Sequence, residues 1–172
     1  TDVWKSNVNY YSLSLDLRHY WRLAPDWTLA SWMLGRVNEG KEARLWILGG
    51  SWDLRGYPLF SVRGQKMWFT SHELRFPLVS RPGRILPILR PFGIRALRGA
   101  LFVDAAHAWN DEYRDVNPQL NAGTTLSSAG WGLRLNVFGG IVLRYDVGYR
   151  FVGPPAWEER DLFKQFWFGY NF

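Results

Sequence analysis

Phe163-Lys164-Gln165-Phe166-Trp167-Phe168-Gly169-Tyr170-Asn171-Phe172 is the stretch that decides the fold. With a period of two, one face of this segment carries Phe166, Phe168, Tyr170 and Phe172. The opposite face carries Gln165, Gly169 and Asn171, with Trp167 among them. A strand in a membrane barrel has this pattern, because alternate residues meet hydrocarbon and the others meet a wet lumen. The segment therefore predicts a lipid-facing β-strand.

The composition of the 172 residues fits strands of alternating polarity. Hydrophobic residues make up 47% and aromatic residues 17%, yet the mean hydropathy is -0.23. No run approaches the roughly 18 apolar residues of a membrane helix, which excludes a helical span. The absence of cysteine excludes disulfides and thiolate metal sites. The formal charge of +6 is spread along the strands, which favours a solvated lumen over a nucleic-acid surface.

Alternation with a period of two recurs along the chain and predicts seven strands, counting the terminal one. The first six lie at about residues 11–23, 27–37, 66–78, 94–109, 130–137 and 141–151. Pro25-Asp26 and Gly139-Gly140 indicate short connections, whereas residues 38–65, 110–125 and 153–161 are long ones. Short periplasmic turns and long outer loops are typical of outer-membrane barrels, which places the C-terminus on the periplasmic side. The proline-rich connection around residues 79–93 is the exception, and it predicts a stiff, ordered excursion.

An odd number of strands shapes the expectation for the whole fold. Bacterial single-chain barrels usually have an even number, and an open sheet in lipid leaves unpaired edge groups. We therefore expect an all-β protein, a transmembrane antiparallel up-and-down β-barrel, of which residues 1–172 form the C-terminal part. The missing strands are expected on the N-terminal side. Residues 1–5 do not resemble a signal peptide, because no basic segment is followed by an apolar run.

Charged residues share the phase opposite to the apolar strip and predict a polar lumen, because ionisable groups that cannot face lipid must be paired or hydrated inside. They are Asp16, Arg18, Glu73, Arg75, Arg98, Asp104, Arg134, Arg144, Asp146 and Arg150. Three histidines, His19, His72 and His107, are instead in phase with the outward face. No Gly-x-Ser-x-Gly, His-Glu-x-x-His or P-loop motif occurs. We therefore expect no catalysis, no cofactor and no metal ion.

Four motifs in a fixed order carry a family resemblance. They are the Gly pair in Leu48-Gly49-Gly50-Ser51, the tetrapeptide Leu54-Arg55-Gly56-Tyr57, the strand Glu73-Leu74-Arg75-Phe76-Pro77-Leu78, and Leu101-Phe102-Val103-Asp104-Ala105. This series ends in the aromatic strand and resembles the C-terminal part of the barrel in the BamA/TamA superfamily of outer-membrane assembly and translocation factors. The resemblance covers about residues 8–172 and implies a sixteen-stranded barrel.

The resemblance also implies that residues 38–65 form a long loop that folds into the lumen. In the motif that includes Leu54, Arg55 matches the family's arginine, Gly56 allows the turn and Tyr57 is the aromatic residue. The family's arginine packs against acidic and aromatic residues on neighbouring strands. Residues matching these partners are Glu73, Asp104 and Phe102, which the strand phase independently places on the lumen face. We expect them to hold the loop in position.

The terminal strand matches the recognition signal of the family. The residues that match it are Phe166, Phe168, Gly169, Tyr170 and Phe172. Assembly machinery reads such a signal by strand pairing. The chain departs from the family in two respects: Ala105-Ala106 replaces the favoured Ala-Gly, and no POTRA-like segment is present.

The resemblance implies a barrel of a bacterial-type outer membrane that inserts or translocates proteins by strand templating at a weak seam. Its partners would be membrane lipids, unfolded or nascent outer-membrane proteins, and accessory periplasmic or lipoprotein subunits, but not nucleic acid. The alternative is a passive pore or a membrane anchor for a fused domain, with the Arg55 loop as a structural plug. A soluble β-sandwich or nucleic-acid binder is disfavoured, because its outer faces would be polar where these are aromatic.

Overall fold

A computed structural model describes residues 9–79, 96–110, 124–137, 141–153 and 160–170, and the strands in these ranges form an antiparallel sheet. The strands are β1 (Asn9–Ala24), β2 (Trp27–Lys41), β3 (Trp46–Leu48), β4 (Val62–Gly64), β5 (Lys66–Val79), β6 (Ala96–Trp109), β7 (Leu126–Val137), β8 (Ile141–Val152) and β9 (Asp161–Tyr170). Seven of them pair in the order β1-β2-β5-β6-β7-β8-β9, and β3 pairs separately with β4. The prediction of an all-β antiparallel fold with neighbouring strands in chain order is confirmed.

The edges of this sheet are open in the described part of the chain. There, β1 pairs only with β2, and β9 pairs only with β8, so the sheet does not close on itself. Among the same residues, no helix has the length and apolarity needed to cross a membrane.

The turn between β1 and β2 confirms the prediction for Pro25-Asp26. Proline presets φ for a turn, and Asp26 takes a φ of 63°, in the left-handed region that aspartate tolerates better than most residues. The Gly139-Gly140 hairpin and the proline-rich excursion at residues 80–93 lie outside the described residues, as does most of the connection 110–125.

Two boundaries differ from the prediction. The second strand continues to Lys41 instead of ending at Val37, and residues 38–65 contain the short strands β3 and β4. Residues 38–41 are polar or glycine on both faces, so the alternation that marks a strand is lost there although the backbone pairing with β1 continues. Likewise, β7 begins at Leu126 instead of residue 130. Residues 42–65, between β2 and β5, are called the inner loop below.

The two faces of the sheet differ in burial. We call one side the open face, where Leu101 is 51% exposed and Phe166 is 61% exposed. We call the other side the covered face, where Phe102 is 2% exposed and Asp104 is completely buried. The side chains alternate between the faces because successive residues of a strand point to opposite sides.

An apolar cluster seats the inner loop on the covered face. Its buried members are Leu34, Leu48, Leu54, Tyr57, Val62, Met67, Phe69, Ala106, Ala108 and Leu126. Leu54 is fully buried, and a leucine buried in this way contributes about 1.5–3 kcal/mol. Because Leu54 precedes Arg55, the apolar contact fixes where the arginine side chain enters.

Candidate functional site

Arg55 of the inner loop lies between two carboxylates on the covered face. Its Nε donates to Asp104 Oδ2 over 2.5 Å, and its Nη2 donates to Asp104 Oδ1 over 2.5 Å. Its Nη1 donates to Glu73 Oε2, also over 2.5 Å. Two parallel bonds from one guanidinium to one carboxylate are strong and geometrically specific. This arrangement fixes the orientation of Arg55 as well as its position.

Further contacts surround the Arg55 guanidinium. Nη2 also donates to Ser71 Oγ over 2.9 Å, and that hydroxyl donates to Asp104 Oδ1 over 2.7 Å. The central guanidinium carbon lies 3.9 Å from the ring centroid of Phe102, within the range of a cation–π contact. Burial disfavours the charge on Arg55, but the carboxylates of Asp104 and Glu73 outweigh this effect and raise its pKa.

The strand register brings the partners of Arg55 together. On the adjacent strands β5 and β6, Ser71 lies opposite Asp104, and Glu73 lies opposite Phe102. Residues two apart on a strand share a face, so all of them point toward the inner loop. The structure thus assembles Arg55 with its predicted neighbours Glu73, Phe102 and Asp104.

Glu73 has more partners than the sequence analysis assigned to it. Its Oε1 accepts from Arg75 Nε over 2.7 Å, and its Oε2 accepts from Arg134 Nη2 over 2.7 Å. Arg134 Nη1 in turn donates to Asp146 Oδ1 over 2.6 Å, and Asp146 Oδ2 lies 2.7 Å from Arg144 Nε. Glu73 therefore does not depend on Arg55 alone, because a buried carboxylate with four lone-pair sites can accept from several arginines.

These contacts form a chain of alternating charge. In spatial order it runs Asp104, Arg55, Glu73, Arg134, Asp146, Arg144, and we call it the charge chain. Every side chain in it is less than 10% exposed. The common strand phase of Arg134, Arg144 and Asp146 was the signal for these members, but phase alone does not give pairing.

Gly132 makes room for the charge chain. A Cβ at this position would lie 2.1 Å from Asp146 Oδ1 and 2.5 Å from Arg134 Nη1. A real Cβ essentially never lies this close to another heavy atom, so a larger residue at position 132 would displace the ion pair between Arg134 and Asp146.

Of the other predicted lumen charges, Arg75 pairs with Glu73 of the charge chain over 2.7 Å. Asp16 and Arg18 pair with each other over 3.0 Å at a more exposed part of the sheet. Arg150 pairs with Asp161 and donates to the Gly56 carbonyl over 3.0 Å. Within the part of the chain that the structure describes, Arg98 makes no ion pair.

Gly56 and Tyr57 close the motif against β8 and β9. Gly56 has a φ of 84°, and a Cβ there would lie 2.5 Å from Phe163 Cδ1, so the turn needs glycine for two reasons. The Gly56 N–H donates to Gln165 Oε1 over 2.9 Å. The Tyr57 hydroxyl donates to the Phe151 carbonyl over 2.6 Å, and burial raises the pKa of this hydroxyl.

Asp53 organises the start of the loop motif, and the sequence analysis missed it. Its Oδ1 accepts from the N–H of Gly49 over 2.9 Å and from the N–H of Leu54 over 2.6 Å. Burial raises the pKa of Asp53, against the lowering effect of these backbone bonds. An aspartate shortly after a glycine pair was the available signal, because such side chains often bond nearby backbone groups in turns.

The terminal strand presents Phe166 and Phe168 on the open face, whereas Phe163 and Trp167 lie on the covered face. Phe168 is 69% exposed, like Phe166 beside it. In the register, Gly169 lies opposite Val142, and Tyr170 lies opposite Ile141. Phe172 lies outside the described residues.

The histidines lie apart from the charge chain. His72 bonds Ser31 Oγ over 2.8 Å and Thr70 Oγ1 over 2.9 Å, and His107 lies 3.1 Å from Thr125 Oγ1. In the described ranges, no group of three or more His, Asp or Glu side chains could hold a metal ion. The site can position and clamp a loop through charge-assisted hydrogen bonds.

These features define an antiparallel β-sheet protein in which buried ion pairs clamp an inner loop to one face of the sheet. The sequence matches the Omp85 superfamily domain over residues 1–169, and the chain therefore belongs to the Omp85 superfamily. Members of this superfamily lie in outer membranes and generally insert or translocate proteins there. No curated protein and no solved structure matches the chain significantly. The resemblance drawn from the motifs is confirmed at the level of the superfamily.

Proposed function

We propose that this chain is the C-terminal part of a transmembrane β-barrel that assists the insertion or translocation of proteins at an outer membrane. In this proposal the open face meets lipid, the covered face lines the lumen, and the C-terminus is periplasmic. The apolar open face supports this orientation, because exposed leucines and phenylalanines are stable against hydrocarbon. The buried charge chain supports it too, because ionisable groups in a membrane protein are paired on the inside.

The ion pairs of Arg55 with Asp104 and Glu73, called the clamp below, are the observation that carries the proposal. Breaking a buried ion pair is costly, whereas a complete pair adds little net stability compared with apolar packing. The pair between Arg55 and Asp104 is therefore better suited to fixing one position of the inner loop than to stabilising the fold as a whole. We propose that the clamp holds the loop inside the barrel and sets the shape in which the barrel acts on its clients.

The terminal strand has a second role in the proposal. Its aromatic alternation, in Phe166, Phe168, Tyr170 and Phe172 with Gly169, serves as the signal that assembly machinery reads during the barrel's own insertion. The proposed partners of the mature barrel are membrane lipids, nascent outer-membrane proteins and accessory periplasmic or lipoprotein subunits. Strand pairing at an open sheet edge is the proposed physical basis both for reading the terminal signal and for binding nascent outer-membrane proteins.

Reconstitution in proteoliposomes tests the proposed function. The intact protein should accelerate folding of an unfolded outer-membrane protein, Arg55→Ala should reduce that acceleration, and Arg22→Ala should not. Arg22 is a matched control because it is an exposed arginine of β1 that shares the strand phase of Arg18. Steady ion conductance without any folding activity would refute the proposal and favour a passive pore with the inner loop as its plug.

A further inference from the structure

A small cavity lies between the inner loop and the covered face. Its volume is about 30 Å³, which holds about two water-sized particles. Trp52 of the inner loop and Trp167 of β9 form part of its wall, with their ring centroids 4.7 Å apart. Arg75 and Arg144 also line it. Arg55 and Glu73 line it as well, but the proposed function assigns no ligand to this cavity.

The arginines at the cavity have donors to spare. The Arg75 side chain is 12% exposed and donates through Nε to Glu73 Oε1. Its Nη1 and Nη2 have no acceptor among the described residues. Arg144 donates through Nη2 to the Ser51 carbonyl, and its Nε lies beside Asp146 Oδ2. Its Nη1 has no acceptor among the residues that the structure describes. These terminal nitrogens are not fully buried, so their charged N–H groups are accessible from the cavity and can donate to a species bound there.

The two carboxylates that line the cavity are already engaged. Each oxygen of Glu73 accepts from two arginine nitrogens: Oε1 from Arg75 and Arg134, and Oε2 from Arg55 and Arg134. Asp53 directs Oδ1 toward backbone N–H groups of the loop. Neither carboxylate is seen to accept from the terminal nitrogens of Arg75.

We infer that this cavity binds a small inorganic anion of the size of chloride, which accepts from the terminal N–H groups of Arg75 and Arg144. Such an anion matches the volume, and its charge is better placed here than that of water, because a guanidinium attracts an anion more strongly away from bulk solvent.

The inferred site links anion binding to the inner loop. Arg144 holds the Ser51 carbonyl, and Trp52 follows Ser51, so two neighbouring loop residues meet the cavity. An anion that binds only when the loop is seated stabilises the seated loop in proportion to the logarithm of its concentration. This inference concerns ligand binding, and it stands whether or not the barrel inserts proteins.

The NMR line width of chloride tests the inference on the intact protein in detergent micelles. Chloride that exchanges with a protein site gives a broadened signal. Wild type and the control Arg22→Gln should broaden the signal equally, and Arg75→Gln should lose most of that broadening. Equal broadening in all three proteins would overturn the inference, because it would come from arginines at the surface.

A competition experiment on the wild-type protein does not depend on whether Arg75→Gln folds. Bromide should narrow the chloride signal by displacing bound chloride, whereas gluconate, whose carbon chain is too large for the cavity, should not at equal ionic strength. Competition by gluconate as effective as that by bromide would refute the size match and with it the assigned cavity.

Discussion

Replacing Arg55 by alanine perturbs the clamp at its centre. The substitution removes every bond from the guanidinium to Asp104, Glu73 and Ser71, and the cation–π contact with Phe102. The consequence falls on Asp104 and not on Glu73. Glu73 keeps Arg134 and Arg75, whereas Asp104, which is completely buried, keeps only neutral donors.

The magnitude follows from that asymmetry. Removing one partner of a buried ion pair costs about 3–5 kcal/mol, because the remaining charge is uncompensated. We expect Arg55→Ala to lower the free energy of unfolding by this amount, and we expect adding Asp104→Ala to recover part of it. Arg22→Ala, at an exposed position, should change stability by less than about 0.5 kcal/mol.

Equilibrium unfolding in urea, with the protein in detergent micelles, measures these differences from the midpoint and slope of the transition. Heat-modifiability on gels gives an independent measure of the folded barrel. Equal stability of Arg55→Ala and Arg22→Ala would refute the reasoning. A double variant as unstable as the sum of the single variants would also contradict it, because the two side chains would then be uncoupled.

Three further variants test the surroundings of the clamp. Gly56→Ala should cost about 1–3 kcal/mol in the same urea experiment, since φ is 84° and the new Cβ would overlap Phe163. Tyr57→Phe should cost about 0.5–1.5 kcal/mol, because the hydrogen bond to the Phe151 carbonyl is lost, and an unchanged midpoint would exclude that bond as a contributor. Burial raises the pKa of Asp53, so ionising this carboxyl costs more free energy in the folded state than in the unfolded state. The folded state therefore loses stability as the pH rises above 3.8. Asp53→Asn should therefore gain stability relative to wild type between about pH 4 and about pH 7, and a constant difference across that range would contradict the burial effect.

The long strands could be predicted from the sequence because their two faces differ chemically. In β8, apolar residues alternate with charged residues or glycine from Leu143 to Arg150, and in β6 Arg98 and Asp104 share one phase. The phase therefore gave the direction of Leu101, Asp104 and Asp146 correctly. The short strands β3 and β4 could not be predicted in the same way. Three residues are too few to show a period, and their pairing depends on contacts that the inner loop makes only after it is seated.

The candidate site could be predicted from the sequence only in part. The family resemblance carried by the motif around Arg55 pointed to the residues that surround it, and the strand phase independently placed Glu73, Phe102 and Asp104 on one face. The pairing of Arg134 could not be predicted in this way, since Arg98 and Arg144 lie directly opposite it in the register, and like charges in that relation are unfavourable. The Arg134 side chain resolves this conflict by reaching Glu73, two strands away, and Asp146 on β8.

The charge chain has a consequence for how the inner loop leaves its seat. Withdrawing Arg55 leaves Asp104 without a cation, so the carboxylate must meet water before the loop can move. Glu73 remains paired with Arg134, which in turn holds Asp146, so the charges on β5, β7 and β8 stay in place while the loop departs. Within the charge chain, release of the loop would therefore require hydration at Asp104 but not at Glu73 or Asp146. The strand-borne ion pairs provide a fixed seat to which the same loop position returns.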